Sequence, residues 1–390
     1  MTYRILTISK PYVAAAYRQK LVALSLVDGV EVGLVCPEQW DSQVFEDDST
    51  ADKKYWIRRL PISFNGKNHF HFYHKLRSAI EQFKPDIVSL EEEHYSLVTM
   101  QAAWICNRLK VPYVFYTWQN IFKNYPPPFS WFERYIFASC SGAIVGNSEA
   151  ADVLRKKGYT KSIREIPQMG VSWGKYNVDC FAGGKDEGIR SSRMKLRLPE
   201  DKIIIGYVGR LVEEKGIQDL VEAAALLGPG HRQKVKFLIL GNGPYKEHLD
   251  SMIGAKGLKE LFDFRSFVPS SEVASYMHAL NALCLPSRTM PNWKEQFGRV
   301  LVEAMAAEAL VIGSSSGEIP RVIGEDGMVF EENNPESLKQ ALVLCIDDDN
   351  LTKRLTSNAK RKAKAKYTHE AIASEFLGYF KEILEQRSLK

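Results

Sequence analysis

Two cations and two carboxylates in the second half of this chain have the types and spacing to hold a charged, hydroxyl-bearing ligand. In "GYVGRLVEEKG" an apolar run ends at Gly209, and Arg210 and Lys215 follow in a short loop before a helix. Two cations at a strand end suit a diphosphate, because free amides and the dipole at a following helix start also favour negative charge. A solvated arginine, with a lysine paired to Glu213 or Glu214, satisfies the same residues. No GxxxxGK[ST] and no GxGxxG stands at this turn, which disfavours a P-loop and a dinucleotide site. In "KEQFGRVLVEAMA" Glu295 sits in a loop, Gly298 opens a helix, and Glu303 lies inside the apolar run from Val300 to Ala306. A carboxylate there is costly unless hydrogen-bonded. It needs a pair of sugar hydroxyls or a neighbouring Lys or Arg. The amides around Phe297, Gly298 and Arg299 are placed to meet an anion or sugar oxygens.

The first half offers a different set. "EEEHYS", Glu91 to Ser96, closes a strand and directs three carboxylates and a histidine to one cleft, where they steer a ligand or form a solvated loop. Glu93 and His94 are the members taken as ligand contacts. Gln119 and Asn120 follow "VFYT" at another strand end and can hydrogen-bond a hydroxyl, but neither can act as a base near neutral pH. Asn147 and Ser148 follow "GAIVG"; Asn147 is a further contact, and Ser148 is expected to cap a helix. His69, His71 and His74 are interleaved with Phe70, Phe72 and Tyr73 and have no carboxylate at ligand spacing, so no zinc site is assigned. Asp347 to Asp349 follow a late helix and read as solvent-facing. No metal site is expected anywhere.

These residues need strands and helices to present them. From Lys202 onward, apolar runs, glycine-bearing loops and helical patterns alternate: "KIIIGYVGR", "GIQDLVEAAALL", "KVKFLILGNGP", "FDFRSFV", "NALCLPS", "GRVLVEAMAAE", "LVIGS", "EIPRVIG", "GMVFE". Ile217, Leu220, Val221 and Ala224 mark one buried helix face. Continuous apolar strands of this kind belong to a parallel sheet covered on both faces, hence a doubly wound α/β domain. The first half repeats the grammar with "RILTIS", a helix from about Ala14 to Leu26, "VEVGLVCP", a helix near His74 to Phe83, "PDIVSLE", "SLVTMQAAWICNRL", "VPYVFYT" and "GAIVGNS". Residues 170–192 are rich in Gly, Ser and charge and are expected to link the halves. The domains expected are therefore 1–180, completed by about 368–390, and 193–367. The last segment carries a Thr cap at Thr368 and a long amphipathic helix.

Composition agrees with a folded enzyme-sized protein. The 390 residues are 45% hydrophobic and 25% charged, enough for two domains with their own cores. The net charge of +5 lies mostly in the first 180 residues and lacks the concentrated basic face of a nucleic-acid binder, so no nucleic acid partner is expected. The six cysteines are scattered and read as buried small hydrophobes in a reducing compartment. No 18-residue apolar stretch exists, which points to a cytoplasmic protein whose membrane contact, if any, is peripheral. "WQNIFKNYPPPFSWFERYIF" concentrates aromatics, prolines and cations, as a loop over the core or as a surface for a membrane interface.

"GRLVEEKG", "ILGNGP", "FVPSSEV", "LPS" and then Glu295 and Glu303, in that order over Lys202 to about Phe330, resemble the C-terminal domain of the glycosyltransferase family 4 enzymes, also called group 1 glycosyltransferases. "PYVFYT" and "IPQMGV" extend a fainter likeness through the first half. The resemblance implies the GT-B architecture: two facing Rossmann-like domains, a nucleotide-sugar donor on the second, an acceptor on the first, no metal, and a final helix crossing back to the first domain. It implies that Arg210 and Lys215 bind the diphosphate. Glu295 would contact the hexose with the amides of Phe297 and Gly298, and Glu303 would hold the ribose. Gly209 and Arg299 flank these contacts, and Phe267 and Val268 fall where the family meets the base. The family retains anomeric configuration, with the leaving phosphate itself accepting the acceptor's proton.

Two departures stand out. The loop after the first strand is "KPYVAAAYR", with the small side chains of Ala14, Ala15 and Ala16 where the family has glycines; and Gln119 or Asn120 stands where the family has a histidine. The reaction implied is transfer of a hexose, glucose being expected, from a UDP-sugar to a glycan hydroxyl. The expected acceptor is lipid-linked, in polysaccharide or envelope synthesis, at the inner face of the plasma membrane. No cofactor beyond the donor is implied. A sugar-nucleotide epimerase of the same layout, and a catalytically silent nucleotide-sugar-binding partner of another transferase, stay open on these residues.

Overall fold

The computed structural model describes residues 2–48, 53–266, 268–269 and 272–388, so Phe267 lies outside the described residues. The chain forms two units, residues 1–170 with 369–390, and residues 171–368. Each is built on a parallel sheet.

The first unit holds β1 (Tyr3–Ile8), β2 (Val30–Pro37), β3 (Trp56–Leu60), β4 (Ile87–Leu90), β5 (Tyr113–Thr117), β6 (Gly142–Val145) and β7 (Ile163–Glu165). Their order is β7-β6-β5-β4-β1-β2-β3, all parallel. All residues of β4, β5 and β6 are buried, which is why they read as unbroken apolar runs. The final helix, His369–Ser388, packs on the helix Gln19–Ser25 of this unit. Its buried Ile372, Phe376, Phe380 and Ile383 form one face at helical spacing. Tyr379 donates to the Ser162 carbonyl at 3.1 Å, and Arg164 pairs with Glu382 at 2.5 Å.

The helix expected from Ala14 to Leu26 is shorter. Two 3-10 turns, Lys10–Val13 and Ala15–Tyr17, come first, and the helix begins at Gln19. The cause is Arg18, a fully buried side chain whose guanidinium donates to the Tyr12 carbonyl at 2.9 Å and the Val13 carbonyl at 3.3 Å. It holds the preceding chain curled while Ala14 stays extended.

The second unit holds β8 (Ile203–Val208), β9 (Val235–Leu240), β10 (Phe262–Arg265), β11 (Ala282–Leu285), β12 (Leu310–Ser314) and β13 (Met328–Phe330). The order is β10-β9-β8-β11-β12-β13, again parallel. Residues 171–192, expected as a linker, are part of this unit: Val171 donates to the Tyr367 carbonyl at 2.7 Å, and Gly184–Leu196 is a helix. That helix lacks apolar periodicity because a buried arginine ties it down. Arg193 donates to the carbonyls of Ala279 at 3.0 Å and Lys202 at 2.9 Å, and to Asn281 Oδ1 at 2.5 Å. Five cysteines are buried, and Cys180, in a polar stretch, is exposed; all six are free thiols. No helix among the described residues is long and apolar enough to cross a membrane.

Candidate functional site

In the second unit the strand order reverses between β8 and β11, and the loops leaving these two strands open the crevice where doubly wound sheets take ligands. Arg210 and Lys215 come from the first loop, and Glu295 from the second. Lys215 Nζ lies 2.6 Å from Glu295 Oε2, which also accepts from Ser287 Oγ at 2.8 Å. The backbone is locked beneath this pair. Gly216, at φ 68°, caps the turn Glu213–Lys215, and a β-carbon there would overlap the Pro286 carbonyl oxygen. Glu295 is fastened in turn, its carbonyl accepting from Glu318 N at 3.1 Å.

Arg210 is different. Its carbonyl accepts from the Tyr207 phenol at 2.7 Å, which fixes the backbone, while the side chain is exposed and forms no ion pair among the described residues. A fixed backbone with an uncommitted guanidinium suits capture of an anion.

Glu303 lies in the helix Arg299–Ala306, which Gly298 opens at φ 76°. The residue is 7% exposed, so the apolar run buries it as the sequence implies. Burial pushes its carboxyl above the usual carboxylate value; Arg299, the Tyr176 phenol and Lys175 oppose this. Arg299 Nε stands 3.3 Å away, on a half-exposed side chain. Arg299, on its half-exposed side chain, thus supplies the ion-pair partner that the sequence left open for Glu303. Val268 and Phe297 pack partly buried against the core, Phe297 with its ring 5.6 Å from that of Tyr367. Gly209 donates to the Leu240 carbonyl at 3.0 Å, joining the loop after β8 to the end of β9.

The first unit also reverses strand order, between β1 and β4. Here the structure parts the acidic run instead of gathering it. Glu91 turns inward to Lys20 at 2.6 Å, Tyr12 Oη at 2.8 Å and Gln168 Nε2 at 3.1 Å. Glu92 takes the amide of Lys10 at 2.6 Å and pairs with its ammonium. Glu93, whose side chain is 27% exposed, accepts from Thr117 Oγ1 at 2.6 Å and the Trp118 amide at 3.1 Å. His94 is enclosed and binds Glu133 at 3.0 Å. Only Glu93 keeps open surface, so the run is neither a solvated loop nor a joint acidic face.

Gln119 donates to the Ile121 carbonyl at 3.2 Å, and its Oε1 is buried with no hydrogen bond among the described residues. Asn120 reaches Glu149 at 3.3 Å. The cap expected of Ser148 belongs to Asn147, whose side chain accepts from Ala150 N at 2.8 Å at the start of the helix Ser148–Lys156. The Ala15 amide donates to Glu46 at 2.9 Å. His71 is buried with Nδ1 on the Asn68 carbonyl at 3.2 Å, and His74 meets Ser63 at 2.9 Å. Asp347 to Asp349 each serve a separate role: Asp347 pairs with His231 at 2.9 Å, Asp348 caps the helix Asp349–Lys366, and Asp349 pairs with Lys353 at 2.6 Å.

Several participants escaped sequence reasoning. Ser287 was visible only as part of "LPS", Tyr176 sat in the presumed linker, and nothing in the spacing marked Trp293, whose ring centroid lies 4.9 Å from Lys215 Nζ.

Comparisons with known proteins bear on both units. The sequence model of the family described as glycosyl transferases group 1 matches residues 189–362, and that of glycosyltransferase family 4 matches residues 21–168. Together they take in more than four fifths of the chain. The chain is 27% identical over 268 residues to an alpha-D-kanosaminyltransferase of Streptomyces kanamyceticus, covering 68% of this chain and 66%, just under two thirds, of that one. It is 24% identical to the capsular polysaccharide biosynthesis glycosyltransferase CapM of Staphylococcus aureus, covering 78% of each. Among solved structures, a glycosyltransferase from Rickettsia africae superposes with a TM-score of 0.77 at 17% identity, over 98% of this chain and 99% of that one. Anabaena HepE in complex with UDP superposes with a TM-score of 0.72 at 18% identity, over 98% and 100%. With one family match falling on each parallel-sheet unit and the solved folds following nearly the whole chain, the protein belongs to the group 1, family 4-type glycosyltransferases and has their GT-B fold.

Proposed function

We propose that this glycosyltransferase moves a hexose, glucose in the first instance, from a UDP-sugar to a hydroxyl of a glycan acceptor, with retention of configuration and without a metal ion. The observation that carries the reading is the convergence of Lys215, Glu295 and Ser287 where the second sheet reverses, with Arg210 free on the adjoining loop. Arg210 and Lys215 neutralise the charge that grows on the leaving diphosphate, and this is where a preorganised site gains most. Glu295 binds hexose hydroxyls, Glu303 the ribose, and the amides of Phe297 and Gly298 the remaining donor oxygens. Glu295, which accepts from Ser287 Oγ at 2.8 Å, acts in this reading as a hydrogen-bond acceptor for hexose hydroxyls and not as a nucleophile on the anomeric carbon. The leaving phosphate then takes the acceptor's proton on the same face. The complex of HepE with UDP-glucose supports the choice of donor by likeness.

In this reading the first unit binds the acceptor, through Glu93 and the Oε1 of Gln119, which has no hydrogen bond among the described residues. A lipid-linked acceptor agrees with the exposed rings of Phe70, Phe122 and Trp131 beside Lys67 and Lys123, a mixture suited to a bilayer interface. It would place the protein at the inner face of the plasma membrane, in polysaccharide or envelope synthesis. The deciding experiment is isothermal titration with UDP-glucose, UDP-galactose, UDP-N-acetylglucosamine, GDP-mannose and NAD in the presence of a chelator. Binding of a UDP-sugar, followed by transfer to a glycan, is expected; no binding by any sugar nucleotide overturns the reading.

A further inference from the structure

Lys215 is held from two sides. Its ammonium lies 2.6 Å from Glu295 Oε2 and 4.9 Å from the centroid of the Trp293 ring, and its side chain is only 17% exposed. Both neighbours come from the loop that follows β11, yet each is fixed separately. Trp293 closes a tight turn with Met290, the two exchanging backbone hydrogen bonds at 2.8 and 3.2 Å. Glu295 is anchored through Ser287 and Glu318. The ring therefore does not depend on the ion pair for its position.

The two contacts differ chemically. A carboxylate competes with a phosphate for the same N–H donors, because both are anionic hydrogen-bond acceptors. An aromatic face attracts the cation through its quadrupole and leaves the N–H groups directed elsewhere free. An arriving diphosphate can thus replace Glu295 on the ammonium while the ring contact persists.

From this geometry we infer that Trp293 is a positioning residue for the donor: it holds the Lys215 ammonium in place while that cation exchanges Glu295 for the diphosphate, which releases Glu295 to the sugar. The inference rests on the donor reading above and adds to it a residue and an order of events. Before the donor arrives, Glu295 and Lys215 neutralise each other in a half-closed site, where either charge alone would be costly. Once Lys215 turns to the diphosphate, the Glu295 carboxylate has only Ser287 and needs new donors, which the hexose hydroxyls supply. Nucleotide and sugar recognition are coupled through one proton-rich group.

The test is a double-mutant cycle read by calorimetric titration with UDP. Trp293→Ala is expected to weaken UDP binding about fivefold, and Trp293→Phe, which keeps a ring, to restore most of it. Glu295→Gln is expected to tighten UDP, since the competing charge is gone, while lowering turnover of UDP-glucose. In a Lys215→Ala background, Trp293→Ala should have no further effect. A full effect of Trp293→Ala in that background would mean the ring acts through loop packing, and this would overturn the inference; so would an unchanged affinity in Trp293→Ala, or weaker UDP binding in Glu295→Gln. Thermal melts of each variant separate these results from misfolding, with Trp293→Phe as the variant expected to fold normally. If the unaltered protein binds no UDP at all, the donor reading itself fails and the inference falls with it.

Discussion

Lys20 and Glu91 form an ion pair of 2.6 Å in which both side chains are 1% exposed, and the ring of Phe376 caps the ammonium at 3.7 Å. The pair joins three distant parts of the chain inside the first unit: the helix Gln19–Ser25, the turn after β4, and the final helix. Burial pulls the Lys20 ammonium below its usual value, and the Glu91 carboxylate opposes that. Removing one partner leaves the other charge stranded. Lys20→Met is expected to cost about 3 kcal/mol, and Lys20→Met with Glu91→Gln to recover much of it. Urea unfolding measures both; a loss below about 1 kcal/mol in the single variant would refute the pair's role.

Arg210 calls for the opposite outcome. Its side chain is exposed and makes no ion pair among the described residues. Arg210→Ala is therefore expected to leave stability within about 0.5 kcal/mol of the parent. UDP binding should fall by about tenfold or more, the worth of a charge-assisted contact to phosphate. Calorimetric titration beside a thermal melt checks both halves of the statement.

Glu303 links stability to pH. Because burial raises its carboxyl in the folded protein above the ordinary 4.5, the folded state holds that proton more tightly than the unfolded chain. Its contribution to stability is thus greatest below the ordinary value and is lost as pH rises through the raised one. Glu303→Gln should raise the denaturation midpoint at neutral pH and leave it unchanged at pH near 4. If the carboxylate binds the ribose, the same variant should lose about tenfold in donor affinity. A higher melting point together with weaker binding is the expected signature, read by melts and titrations across pH.

Asn147 separates capping from ligand binding. Its side chain accepts from Ala150 N at 2.8 Å and is nearly fully buried. Asn147→Ala should cost about 1 kcal/mol, while Asn147→Asp, which also caps, should cost much less. Denaturant unfolding of the two variants makes the comparison; equal losses would contradict the cap.

The sheets were legible in the sequence because parallel strands buried on both faces must be apolar throughout, as in "KIIIGYV" and "PDIVSL". Arg210, Lys215, Glu295 and Glu303 stood out in the sequence for a related reason: charges at strand ends or inside apolar runs need partners. Where a polar network replaces an apolar face, the pattern is silent. The helix Gly184–Leu196, tied down by Arg193, showed no hydrophobic period, and the turns before Gln19, shaped by Arg18, read as the start of the helix that follows them.

Sequence alone thus determined two α/β units and the place of the final helix pattern, and it singled out charged residues at strand ends and inside apolar runs. The tertiary structure decided which of them meet. Glu91, Glu92 and Glu93 are adjacent in the chain yet take separate partners, because successive side chains leaving a strand point in different directions. Lys215 and Glu295 are 80 positions apart yet share a hydrogen bond, because the strand order reverses between β8 and β11 and brings their two loops together. Pairing across such distances is set by sheet order, and no local spacing encodes it.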